Sequence, residues 1–215
     1  MREDIIKKTE EFVKEKFAGG RYFAEHPEAG RYRIAHTYRV ANVGRAIARA
    51  EGFDETEFVV ACLLHDVSYC EEFGEDGWRE HGRTSARIAR PFLRLLGLPE
   101  DRVADICYGI AIHVDDEADF EGERTAFARS VCDADNIDRF DAYRIHENLA
   151  AARYTELEPA EQRAHVENRL AELRRFIDIK FATPTARRMW RERISYYIGF
   201  YEKLLAQLDA SESVL

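Results

Sequence analysis

The stretch CLLHDVSY, residues 62–69, places a histidine and an aspartate side by side at the end of an apolar run. Because burying an unpaired charge is costly, His65 and Asp66 need a compensating partner if they lie near a core. Phe58, Cys62 and His65 recur at helical spacing, which predicts that His65 extends the buried face of its helix. Asp66 is expected at the edge of that face.

Three further histidines stand where predicted inner helix faces begin or end. His36 heads one apolar stripe and His113 ends another, while His81 lies just before a third helix, in a predicted loop. A single inward histidine is more often a hydrogen-bonded core residue than a ligand. Four of them together would each need a separate partner in one modest core, which favours a shared one.

Three aspartates follow in TAFARSVCDADNIDRF, residues 125–140. On a helical wheel centred on the apolar residues of this stretch, Asp135 and Asp138 lie near the buried face and Asp133 lies well away from it. We therefore expect Asp135, and with it Asp138, to face the core, and Asp133 to point elsewhere.

A divalent metal ion would satisfy these groups together, because neutral imidazoles and carboxylates coordinate it and its charge offsets buried aspartates. Mixed nitrogen and oxygen ligands suit manganese, iron, zinc, nickel or magnesium, and the sequence does not choose among them. Ligands gathered from separate helices can leave coordination positions for water or a substrate oxygen. Since a metal lowers the pKa of bound water and polarises a phosphoryl oxygen, the pattern indicates metal-assisted phosphoester hydrolysis.

The composition narrows the class of protein. The 215 residues are 46% hydrophobic and 34% charged, which suits a substantial core and a solvated surface. The formal net charge of −9 argues against a nucleic-acid polymer as partner. No apolar window approaches the roughly 20 residues that span a bilayer, and the charged N-terminal pattern is unlike a signal peptide. The sequence predicts a soluble cytoplasmic protein without a membrane partner, of undetermined oligomeric state.

Helical periodicity runs through nearly the whole chain, and no convincing segment alternates with period two. Helices are predicted at 2–17, 31–51, 55–68, 83–96, 99–114, 124–140, 142–152, 160–180 and 185–209. Pro91 is expected to kink or divide helix 83–96. Because no linker rich in Gly, Pro or Ser interrupts the chain, we expect one all-α domain over 1–215. Its metal-binding core would span about 30–145, with helices 160–209 packing on it.

At these residues the sequence resembles the HD-domain superfamily of metal-dependent phosphohydrolases. The superfamily pattern is a histidine, an adjacent His-Asp pair and a distant aspartate, all on helices. It is matched by His36 in AHTYRVA, by His65 and Asp66 in LLHDV, and by Asp135 in CDADNID. The resemblance covers about residues 30–145 and implies an all-α helical bundle in which these four residues bind one metal.

The resemblance extends in two further directions. His81 and His113 match positions at which some branches hold a second metal, with Asp66 bridging the two ions. The C-terminal helix looks like the closing helix of a small bacterial and archaeal subgroup, some of whose relatives are similar to nucleoside triphosphate pyrophosphatases. The implied cofactor is therefore one divalent metal ion or two.

The chain departs from one common pattern, because HDVSYCEEFGED, residues 65–76, lacks the lysine that many members carry after the pair. Another cation should then meet a substrate phosphate. Arg39, one turn past His36, is our candidate, and Arg31 and Arg33 lie just upstream. Acidic residues after the pair are candidates for a general acid or base, with none singled out: Glu71, Glu72, Glu75 and Asp76.

The resemblance implies a metal-dependent phosphohydrolase that acts on a nucleotide or similar small phosphate compound, with Asp66 and Arg39 in catalysis. Two alternatives stay open. One is an HD-fold oxygenase with two iron ions on the six ligands. The other is a binding or regulatory module in which the metal holds a nucleotide or stabilises the fold.

Overall fold

The structure is a computed structural model that describes residues 2–71 and 77–211, and all regular secondary structure within these ranges is helical. The all-α prediction is confirmed. The α-helices of the described residues are α1 (Arg2–Gly19), α2 (Arg21–Glu25), α3 (Pro27–Glu51), α4 (Glu55–Leu64), α5 (Gly77–Leu95), α6 (Glu100–Ile112), α7 (Ala126–Asp138), α8 (Ala142–Ala151), α9 (Pro159–Arg175) and α10 (Pro184–Asp209). Short 3₁₀ helices cover Val67–Cys70 and Tyr154–Glu156.

The chain divides into two compact units. Unit 1 comprises Met1–Asp138 and Phe181–Ala186, and unit 2 comprises Arg139–Lys180 and Arg187–Leu215. Helices α1 to α7 therefore belong to unit 1, whereas α8, α9 and most of α10 belong to unit 2. The single domain with C-terminal helices packed on a metal-binding core stays a prediction.

Helix packing in unit 1 gathers the elements that carry the predicted ligands. Helix α3 packs against α4 and α7, and α6 packs against both α5 and α7. Two glycines allow this closeness. A Cβ on Gly44 would lie 2.5 Å from Cys62 Sγ across the α3–α4 contact, and one on Gly82 would lie 2.6 Å from the Ala111 carbonyl oxygen across the α5–α6 contact.

Several elements differ from the prediction, among them α3, which begins at Pro27 rather than 31, and α9, which ends at Arg175 rather than 180. Helix α2 was not expected, and α4 ends at Leu64 rather than continuing to residue 68. Asp66 adopts φ −109° and ψ 15°, so the His-Asp pair lies at a turn and not inside a helix. Helix α5 begins at Gly77 and is not divided at Pro91. Pro91 and Arg87, one turn earlier, lie on the exposed face, where water can bind the carbonyl that proline leaves without a partner.

Unit 2 has an aromatic core along α10. Trp190, Ile194, Tyr197 and Tyr201 recur at helical spacing and are at most 1% exposed. Among the residues described, no helix combines the length and apolar character needed to cross a membrane.

Candidate metal centre

One carboxylate, that of Asp66, faces the Nε2 atoms of four histidines. Its Oδ2 lies 3.6 Å from His36 Nε2 and 3.3 Å from His65 Nε2. Its Oδ1 lies 3.2 Å from His81 Nε2 and 3.6 Å from His113 Nε2. The side chains thus form two sets of possible metal ligands that share Asp66.

Asp135 completes the first set. Its Oδ1 lies 3.1 Å from His36 Nε2 and 3.9 Å from His65 Nε2. We call His36, His65, Asp66 and Asp135 the first ligand group. The second ligand group consists of the shared Asp66 with two further histidines, His81 and His113.

An acceptor holds the Nδ1 atom of every histidine in these groups. Nδ1 of His65, His81 and His113 lies 2.7, 2.5 and 2.7 Å, respectively, from the carbonyl oxygen three residues earlier. Nδ1 of His36 lies 2.7 Å from Asp138 Oδ2. When Nδ1–H donates to these acceptors, Nε2 is the ring atom that faces Asp66, as in histidines that bind metals.

The geometry fits a bound cation. His65 Nε2 is buried and has no hydrogen-bond partner among the described residues, although a buried polar atom left unsatisfied costs about 1–3 kcal/mol. An imidazole lone pair and a carboxylate oxygen are both acceptors, so a positive ion between them would satisfy both. Imidazole nitrogen and carboxylate oxygen are ligands that divalent transition metals accept.

Arg33 lies beside the shared carboxylate. Its Nη1 donates to Asp66 Oδ2, and its guanidinium carbon lies 3.5 Å from the centroid of the Tyr69 ring. Burial raises the pKa of Asp66, but His65 and Arg33 lower it more strongly and hold it well below its usual range. Asp66 is therefore ionised at neutral pH, the form in which a carboxylate binds a metal.

Asp138 links His36 to Arg39. Arg39 Nε donates to Asp138 Oδ1 at 2.8 Å, while the other carboxylate oxygen holds His36. Burial raises the pKa of Asp138, but His36 and Arg39 lower it below its ordinary value. Burial lowers the pKa of His36, but Asp135 and Asp138 raise it to about 9. These contacts place Arg39 next to the first ligand group.

The structure thus brings all six predicted ligands together. Arg39 is linked to one of them, His36, through Asp138. His81 was expected in a loop before a helix, and this is wrong because it lies inside α5. Residues 77–82 do not carry apolar residues at helical spacing, so the periodicity of the sequence did not predict the first turn of this helix. Its position follows from packing at Gly82, where α5 approaches the end of α6.

The expected orientation of Asp133 is also wrong. Its side chain is buried, with 7% of the residue exposed, and its Oδ2 accepts the backbone N–H of Ala182 at 2.8 Å. Burial raises the pKa of Asp133 to about 7, against the lowering effects of Ala182 and Arg129. Ala182 lies 49 residues further along the chain, and a helical wheel does not include such a long-range contact.

Asp138 faces the core as predicted, but the sequence predicts no role for it at the site. Its position three residues after Asp135, on the same face of α7, was the available signal. Of the acidic residues after the His-Asp pair, Glu71 is exposed. Glu72, Glu75 and Asp76 lie outside the described residues.

The comparisons with known proteins agree with this geometry. The HD-domain family model matches residues 33–140, half of the chain. A crystal structure of a predicted HD superfamily hydrolase from an uncultured Thermotogales bacterium is 23% identical, with a TM-score of 0.63 over 94% of this chain and 91% of that chain. At this identity the likeness concerns the fold. A search of the curated proteins gives no match.

The family match and the ligand geometry together support a metal-dependent hydrolase. The match begins at Arg33, extends past Asp138, and includes every residue of both ligand groups. The chain belongs to the HD-domain family.

Proposed function

We propose that this protein is a phosphohydrolase that cleaves a phosphoester or phosphoanhydride bond in a nucleotide or similar small phosphate compound. The observation that carries the proposal is the position of Asp66. Each of its two oxygens faces a pair of histidine Nε2 atoms, and Asp135 joins one of the pairs. A purely structural ion would need only one closed set of ligands.

In this proposal, the first ligand group would hold one divalent ion and the second ligand group would hold another, with Asp66 a ligand in both groups. Bound metal would supply an activated water and a Lewis acid for a phosphoryl oxygen. The histidines contribute orientation, since their Nδ1 contacts fix the rings before any ion binds.

In this proposal, two arginines bind a substrate phosphate. The Arg33 side chain is 17% exposed, and it is held between Asp66 and the ring of Tyr69. The Arg39 side chain is 31% exposed and is oriented by Asp138. A guanidinium group pairs well with phosphate because its planar donors match two phosphate oxygens. We therefore assign phosphate binding to Arg33 in addition to Arg39.

The shared carboxylate also supports a second candidate, an oxygenase with two iron ions on the same six ligands. Metal content and reaction products distinguish the two. Protein purified without added metal or chelator would be assayed by elemental analysis. It would then be screened with that metal against nucleotides and phosphate esters, with phosphate release and oxygen consumption measured in parallel. We expect two metal equivalents and phosphate release without oxygen consumption.

The decisive variants are Asp66→Ala and Asp135→Ala, which should lose metal and hydrolysis while circular dichroism shows an intact helical fold. Asp119→Ala is the control, because its side chain is 49% exposed and pairs only at 3.9 Å with Arg87. Full hydrolysis by metal-free Asp66→Ala protein would refute the proposal. Oxygen consumption with an organic substrate would favour the oxygenase. Tight nucleotide binding without turnover in every metal would favour a binding module.

A further inference from the structure

Unit 2 contains a cleft of about 500 Å³ that belongs to neither ligand group. Four of its eight lining residues are arginines and two are phenylalanines: Arg139, Arg144, Arg169, Arg175, Phe140 and Phe176. Glu172 is the acidic residue in the lining. In a chain with a formal net charge of −9, this cleft gathers an excess of positive charge, which attracts anions.

Arg169 is held rigidly in the wall of the cleft. Its Nη1 donates to Glu172 at 2.8 Å, its Nη2 donates to the Tyr197 hydroxyl at 3.0 Å, and its guanidinium lies 5.2 Å from the Tyr197 ring centroid. Its Nε is buried and has no hydrogen-bond partner among the described residues. A guanidinium held by these contacts binds an anion with little further loss of side-chain freedom.

Arg175 and its neighbour Arg174 form a matched pair, because Arg175 lines the cleft and Arg174 does not. Both are exposed and belong to the last turn of α9. Arg174 donates to Glu202 at 3.0 Å and lies outside this cleft. Arg175 lines the cleft, and among the described residues it has no ion pair or hydrogen-bonded side-chain partner.

We propose that this cleft binds the phosphate group of a small molecule, at a second site built from unit 2 alone. Guanidinium groups supply the donors that phosphate oxygens need. Phe140 and Phe176, whose ring centroids lie 5.4 Å apart at an angle of 69°, supply apolar wall next to them. A phosphate attached to an aromatic base therefore suits the cleft better than inorganic phosphate.

Trp190 provides a direct signal for occupancy. Its ring centroid lies 4.7 Å from that of Phe140, and its Nε1 donates to the Phe176 carbonyl oxygen at 3.0 Å. The chain has two tryptophans, and the other, Trp78, is 56% exposed. Trp78→Phe therefore leaves Trp190 as the reporter. This variant, freed of metal by a chelator, would be titrated with adenosine monophosphate and with inorganic phosphate at low ionic strength.

We expect a saturable fluorescence change, at lower concentration with adenosine monophosphate than with inorganic phosphate, that weakens as salt is added. Adding Arg175→Gln should weaken binding about tenfold, the effect of losing one charge-assisted hydrogen bond. The matched control Arg174→Gln should stay within about twofold because that charge lies outside the cleft. Arg169→Lys should weaken binding further, and circular dichroism would verify its fold.

Three results would overturn the inference: no saturable change at millimolar ligand, equal weakening by Arg174→Gln and Arg175→Gln, or binding that disappears in Asp66→Ala. The last would put the anion at the metal centre. Failure here is distinguishable from failure of the proposed hydrolase, because Asp66→Ala protein should lose metal and hydrolysis but keep this cleft. Arg175→Gln protein should keep its full metal content.

Discussion

The two ligand groups of the metal centre share Asp66 but are held by different parts of unit 1. The first group joins α3, the end of α4 and α7, whereas the second group joins α5 to the end of α6. Their burial is similar, since the most exposed side chain is Asp135 at 11% in the first group and His81 at 12% in the second.

The groups also differ in charge. Two carboxylates, Asp66 and Asp135, belong to the first group, whereas Asp66 is the carboxylate of the second among the residues described. Because more anionic ligands bind a divalent ion more tightly, the first group should hold its metal more strongly. One shared aspartate therefore does not make the two positions equivalent.

Replacing one histidine from each group should change the metal content of the protein very differently. His65→Ala removes a first-group ligand and disturbs the shared Asp66, so the protein should lose nearly all bound metal. His81→Ala should keep about one equivalent, because the first group remains complete. Elemental analysis of both variants, purified in parallel, measures this difference. If His81→Ala loses as much metal as His65→Ala, the two groups form a single cooperative site and the comparison fails.

The next effect concerns the support of the first group. Asp138→Asn weakens the contacts that orient His36 and Arg39, so we expect metal affinity at the first group to fall about 10–100-fold. Metal affinity at the second group should change little. Titration with a metal-sensitive dye would measure both affinities. Asp133→Asn is the matched control, because Asp133 lies on the same helix and binds the backbone of Ala182 instead of a ligand. Equal losses in both variants would point to general damage to α7.

A smaller effect should appear in substrate binding. Arg33→Gln removes a guanidinium that lies beside Asp66, and we expect KM for the substrate to rise about tenfold with metal content unchanged. Arg31→Gln is the control, since Arg31 is exposed and two positions earlier on the same helix. Steady-state kinetics on the substrate found by screening would measure both. An unchanged KM in Arg33→Gln would remove Arg33 from the phosphate-binding role.

The last prediction concerns the close contact between α5 and α6 at Gly82, next to the second group. A Cβ at Gly82 would lie 2.6 Å from a backbone oxygen and 3.1 Å from His113 Nδ1. Gly82→Ala should therefore lower the free energy of unfolding by about 1–3 kcal/mol and weaken the second group selectively. Gly199→Ala is the control, since its Cβ would meet nothing within 4 Å in α10 and should stabilise by about 0.5–1 kcal/mol. Urea unfolding and metal titration would compare them.

Much of the architecture and of the site was readable from the chain. Helix periodicity gave an all-α fold, and it placed His36, His65, Asp135 and His113 on inner faces, where the structure has them buried. These successes share a cause. The burial of a helix face requires apolar residues at a fixed local spacing, so it is visible within about twenty residues of sequence.

The failures share a different cause. Asp133 accepts a hydrogen bond from Ala182, 49 residues away, and Asp138 acts on His36 across a separation of 102 residues. The contact of Arg33 with Asp66 likewise joins α3 to the turn after α4. Local spacing identifies which side chains face inward, but it does not contain the partner that each one meets. Helix packing determines that partner. The shapes and charges of both surfaces together set the geometry of a contact between distant segments.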